Sequence, residues 1–213
     1  PASVLKLFTT AVALDELGEE RKIESHFYAN AKVVNGVLKG DLCFDGNYNP
    51  TLLSSRYNRS IDKMCDALTV SLSKKGISSI EGGLKVIGDD SDVESIPRTW
   101  IWEDIGNYYG ARVSRTMVNE NILKIYMRSE NAGSKVKIIK TEPYISKLKI
   151  DSKVYSSTKN RDLAYCFSRP GDQKISISGT IPHNRASFVV KAALPSPALT
   201  FGNLVMVTVK SQN

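Results

Sequence analysis

Apolar positions near the start of the chain fall at Val4, Leu5, Leu7, Phe8, Ala11, Val12, Leu14 and Leu17. Returns at three and four residues put them on one helical stripe, with Ser3 as the N-cap and Gly18 at the stop. Asp15, Glu16, Glu19 and Glu20 crowd the C-terminal end against the helix dipole, which keeps a strand over 4–12 open as an alternative. From His26 the period drops to two. Phe27, Ala29 and Ala31 alternate with polar residues, and Asn35-Gly36 after Val33-Val34 predicts a tight hairpin returning through Val37, Leu38, Leu42 and Phe44. Ile61, Met64, Cys65, Leu68 and Leu72 recur at helical spacing ahead of Gly76, yet Leu68-Thr-Val-Ser-Leu-Ser alternates. That element is expected to begin as helix and turn to strand.

After an acidic surface loop at 88–97, strand-like runs occupy 99–103, 111–118, 122–128, 135–141, 144–155, 163–168, 174–181, 186–193 and 203–210. Turn formers such as Asn131-Ala-Gly133, Pro170-Gly-Asp172 and Pro182-His-Asn184 separate them. This rhythm predicts a mainly β protein: a jelly-roll-like antiparallel β-sandwich with one or two helical insertions. Residues 1–213 would form one such domain, with 1–22 either helical or an exchanged arm.

Composition supports a globular chain, with 41% hydrophobic and 24% charged residues among 213. No run is long and apolar enough for a transmembrane helix, and the start lacks the basic opening of a signal peptide. Cys43, Cys65 and Cys166 are widely spaced, with no C-x-x-C pair. They read as buried fillers in an intracellular protein, neither disulfides nor a zinc site. The net charge of +7 is unevenly spread. Residues 1–106 carry 12 Lys/Arg against 16 Asp/Glu, or −4, and residues 107–213 carry 17 against 6, or +11. Such polarisation points to one face that meets a polyanion.

Candidate chemistry is sparse. His26 and His183 are the only histidines, and neither lies in a nucleophile motif. There is no G-x-S-x-G elbow, Walker loop or dinucleotide fingerprint. The acids Asp89, Asp90, Asp92 and Glu94 alternate as in the start of a calcium loop, but Ser95 stands where glycine is needed, so a solvated charge run is expected. No metal or other cofactor is expected, nor any catalytic residue, so the chain reads as non-enzymatic.

The lysines carry more information. Alternation aligns Lys135 with Lys137, and Lys147 with Lys149 and Lys153, so two successive strands would present basic outer faces to nucleic acid. Lysines that merely solvate a sheet edge are the competing reading. Trp100 and Trp102 flank Ile101 on one face of the first run and are expected as packing or interface anchors.

The terminal stretch Ala198-Leu-Thr-Phe-Gly-Asn-Leu-Val-Met-Val-Thr-Val-Lys210 resembles the last strand of the single jelly-roll coat proteins of small RNA viruses. That resemblance implies a self-assembling coat subunit, located in the virion or host cytoplasm, with itself and RNA as partners. The family's usual Arg/Lys-rich arm is missing, since residues 1–20 hold only Lys6. The alternatives are a nucleic-acid- or anionic-membrane-binding viral accessory protein, either matrix or movement protein, or a ligand-binding β-sandwich.

Overall fold

The apolar N-terminal run forms helix α1 (Leu5–Leu17), entered through a 3-10 turn at Ala2–Val4 and ended by Gly18 at φ 77°. The computed structural model describes residues 2–88, 96–169 and 171–211. The acidic loop residues Asp89, Asp90, Asp92, Glu94 and Ser95 lie outside them. No residue of α1 is buried; Leu7 and Phe8 are 70% and 66% exposed. Its apolar stripe is thus left uncovered among the described residues.

Strand β1 (His26–Ala29) follows, then β2 (Val33–Val34) and β3 (Val37–Leu38), joined as expected by Asn35 and Gly36. Both turn residues have positive φ, 49° and 78°, the backbone a two-residue hairpin with the right twist demands. Strand β4 (Leu42–Asp45) buries Leu42, Cys43 and Phe44. Helix α2 (Ile61–Lys74) remains helical to its end, where a turn into strand was expected. Ser60 caps it by accepting from the Lys63 N–H, and Cys65 and Leu68 face inward. The alternation after Leu68 is therefore a coincidence of polar positions on a helix whose buried face was set earlier.

Short strands β5 (Ser79–Ile80) and β6 (Leu84–Val86) and the four-residue helix α3 (Trp102–Ile105) precede the main β region. Two expected strands are absent here. Residues 99–103 form turns and the start of α3, and 111–118 run irregularly. Thr116 Oγ1 donates to the Ile87 carbonyl at 2.8 Å, and Arg115 binds Asp45 through Nε and Nη2 at 3.0 and 2.8 Å. These bonds tie the irregular stretch to β4 and to the end of β6.

The later strands are β7 (Ile122–Ser129), β8 (Lys137–Glu142), β9 (Lys149–Ser157), β10 (Leu163–Ser168), β11 (Lys174–Pro182) and β12 (Arg185–Ala193). The period-two pattern is clearest in β7, which buries Leu123, Ile125 and Met127 on one side. The chain is mainly β, as expected, but among the described residues its strands make four three-stranded sheets, β1-β4-β6, β2-β3-β5, β12-β7-β8 and β10-β11-β9, in place of the expected jelly-roll-like antiparallel sandwich. Strand β11 pairs in parallel with β9 and antiparallel with β10.

Residues 203–210, expected as a terminal strand, belong to helix α4 (Pro197–Ser211). Proline is favoured at the first helical position because it lacks only an N–H that would be unpaired there. Phe201 and Val205, one turn apart, are buried, and the Phe201 ring stacks on Phe44 with centroids 4.0 Å apart. This contact seats α4 on the core that β4, β7 and β11 share. No helix among the described residues is long and apolar enough to cross a membrane.

Candidate functional site

Ser3 lies in the 3-10 turn that opens α1, and Lys6 lies in the helix's first turn. Residues three apart share a helix face. Lys6 Nζ accordingly donates a hydrogen bond to Ser3 Oγ at 3.4 Å. The neighbouring hydroxyls are committed elsewhere: Thr9 and Thr10 donate back to the carbonyls of Leu5 and Lys6 at 3.3 and 2.7 Å. The expected cap role of Ser3 is not observed, because Val4 is the N-cap and has no capping side-chain bond.

A serine hydroxyl becomes a nucleophile when a neighbouring base takes its proton, and an amine can replace the imidazole of the better-known triads. The contact here exceeds the 2.6–3.2 Å of a tight acid–base pair, as is common without substrate. Ser3 also stands at the positive end of a 13-residue helix, which favours negative charge developing nearby. Sequence reasoning missed this pair because it sought a histidine beside each nucleophile. The available signal was Ser3-Val4-Leu5-Lys6, an S-x-x-K motif at the head of an apolar helix.

The other candidates are dispersed. His26 begins β1, 3.9 Å from Glu24, and both are exposed. His183 lies in the turn between β11 and β12. Among the described residues, no three His, Cys, Asp or Glu side chains gather as metal ligands. Cys43, Cys65 and Cys166 are buried and unpaired.

The five lysines singled out earlier are all exposed but belong to different substructures. Lys137 lies in β8 and pairs with Glu130 at 3.4 Å, while Lys149 and Lys153 lie on β9 in another sheet. Lys135 meets Tyr155 of β9 through an isolated bridge, and Lys147 sits in the turn before that strand. Trp102 opens α3 and Trp100 precedes it in a turn; they are 53% and 36% exposed.

A family model for the D-Ala-D-Ala carboxypeptidase 3 (S13) family matches residues 1–212. The chain is 29% identical over 143 residues to a penicillin-sensitive carboxypeptidase A of Dictyostelium discoideum, covering 62% of this chain and 26% of that protein. It is 23% identical over 213 residues to a D-alanyl-D-alanine carboxypeptidase of Actinomadura sp., covering 96% of this chain and 38% of that one. The chain thus spans between about a quarter and two-fifths of these relatives' lengths. Penicillin binding protein 4 of Haemophilus influenzae superposes with a TM-score of 0.74 at 20% identity, over 99% of this chain and 45% of that one. The same protein in complex with a β-lactam gives 0.68 at 19%, over 100% and 43%.

These matches overturn the coat-protein resemblance, and the stretch that carried it is helix α4. The non-enzymatic reading, the RNA partner, shell assembly, and the virion or host-cytoplasm location fall with it. With its sequence matched from the first residue to the penultimate one, the chain belongs to the D-Ala-D-Ala carboxypeptidase 3 (S13) family.

Proposed function

We propose that this chain supplies the acylation centre of a serine carboxypeptidase acting on peptides that end in D-Ala-D-Ala, with Ser3 as nucleophile and Lys6 as base. The observation that carries this reading is the hydrogen bond from Lys6 Nζ to Ser3 Oγ inside an S-x-x-K motif, in a chain of this family. Lys6 Nζ accepts the hydroxyl proton as Ser3 Oγ bonds to the carbonyl carbon of the penultimate residue. Collapse of the tetrahedral adduct breaks the C–N bond, and the departing D-alanine amine takes up the proton that Lys6 accepted. Water then attacks the ester carbon, freeing the shortened peptide as a carboxylate and restoring the serine hydroxyl. The positive end of α1 supports the oxyanion in both steps.

Penicillin-reactive serine enzymes combine S-x-x-K with S-D-N and K-T-G motifs. Ser211-Gln212-Asn213 has the outer residues of the second, and Gln212 and Asn213 lie outside the described residues. Lys-Thr-Gly occurs nowhere in the 213 residues. This chain therefore brings the nucleophile and base, with a candidate for the second motif.

The test is release of free D-alanine from a soluble peptide ending in D-Ala-D-Ala. Ser3→Ala should lower the rate by about 10³-fold or more while leaving thermal unfolding unchanged. A Ser3→Ala protein with undiminished release removes Ser3 from the mechanism.

A further inference from the structure

Far along the sequence from Ser3, the turn Tyr108–Gly110, the head of β10 and the middle of β12 line an open hollow of about 450 Å³. That lies within the size range of small-molecule sites. Three tyrosine rings line it, each half exposed: Tyr108 at 49%, Tyr109 at 52% and Tyr165 at 49%. Tyr108 and Tyr109 stand edge to face with centroids 5.3 Å apart. Lys191 Nζ lies 5.7 Å from the Tyr108 ring centre, and Asp162 completes the polar part of the lining.

The walls are held from beneath. Asn107 is 4% exposed, donates through Nδ2 to the Glu103 carbonyl at 2.7 Å, and accepts the Cys166 N–H on Oδ1 at 2.9 Å. The turn packs so closely on β10 that a Cβ at Gly106 would come within 2.3 Å of the Cys166 carbonyl oxygen. Only glycine lets the two backbones approach this way. The hollow is thus built before any ligand arrives, which lowers the ordering cost of binding.

Its chemistry selects a ligand. Half-exposed phenol rings offer apolar faces with hydroxyl rims, and they would be covered by flat rings that are apolar on their faces and hydroxylated at their edges. A carboxylate accepts from hydroxyls and amides, and an ammonium donates to hydroxyl and carbonyl oxygens. The two charges leave the hollow close to neutral, which favours an uncharged ligand over a polyion. Desolvation by the surrounding walls raises the pKa of Asp162, although its Oδ1 accepts the Ala164 N–H at 3.0 Å.

We propose that this hollow is a subsite for uncharged saccharides, with pyranose rings stacked on Tyr108 and Tyr165 and their polar edges met by Asp162 and Lys191. The inference rests on the carboxypeptidase reading, in that a cell-wall peptide ending in D-Ala-D-Ala is carried on a glycan strand.

Calorimetric titration with the N-acetylglucosamine tetramer tests it alongside D-alanine release from a soluble peptide. Saccharide binding is expected in the native protein, weakened about tenfold or more by Tyr108→Ala or Tyr165→Ala, with peptide hydrolysis unchanged. Asp162→Asn, which keeps the side-chain size, should also weaken binding and covers the case of an alanine variant that fails to fold. Absence of saccharide binding in a protein that hydrolyses the peptide overturns the subsite and leaves the carboxypeptidase reading standing. Binding that all three substitutions leave unchanged overturns it as well. Tyrosine-dependent saccharide binding without D-alanine release sustains the subsite and counts against the proposed reaction.

Discussion

Lys6 Nζ reaches Ser3 Oγ across a single turn at the head of α1, at 3.4 Å. An amine can accept the serine proton, whereas a guanidinium cannot be deprotonated in a protein. Lys6→Arg should therefore slow acylation by a fluorescent penicillin about 10²–10⁴-fold, as should Lys6→Ala. Both side chains are exposed, so the thermal midpoint should not move. An arginine variant that acylates at the native rate would leave Lys6 with a positioning role only.

The bidentate bond between Asp45 and Arg115 holds β4 to a segment 70 residues away. Arg115 holds the Asp45 carboxyl below the usual carboxylate range, against an opposing effect of partial burial. A lowered folded pKa means that the folded state binds fewer protons than the unfolded chain. The stabilisation is complete above the ordinary aspartate value of about 4 and is lost as pH falls through the lowered one. Asp45→Asn should cost about 1–2 kcal/mol at neutral pH in urea unfolding, and the difference from the native protein should shrink at the acid end.

Phe201 is fully buried and stacked on Phe44, with Phe27 6.3 Å from its ring. Phe201→Ala removes the contact that docks α4 and leaves a cavity. About 3–5 kcal/mol of stability should be lost, which lowers the thermal midpoint by on the order of 10 °C.

Burial pushes the Cys166 thiol up to about 12, with the Asp162 carboxylate a smaller contributor, and raises that of Cys65 as well. Because the thiolate is the reactive form, the folded protein should react with a disulfide reagent only through slow opening. The native protein should show no fast thiol, and the chain in guanidinium should show three.

Elements with one dominant period were legible in the sequence. Residues 163–168 were expected as a strand and form β10 with those bounds, and Asn35-Gly36 makes its hairpin because Asn and Gly take two successive positive φ values at least cost. Helix α4 was misread because Leu204-Val205-Met206-Val207 suits either period. Phe201 and Val205 one turn apart, after Pro197, carried the helical signal, which tertiary packing settled. The parallel pairing of β11 with β9 depends on contacts that no local pattern encodes. The Ser3–Lys6 pair was visible as S-x-x-K, but a serine at a helix start also suits a cap, and that local reading obscured its chemistry.

The most direct test labels the protein with penicillin, digests it, and locates the adduct by mass spectrometry. Opening of the lactam ring by Ser3 Oγ should add one intact drug mass to the peptide that contains Ser3, and Ser3→Ala should abolish it. An adduct on any other residue, or one that persists in Ser3→Ala, would contradict the assignment of Ser3 as the nucleophile.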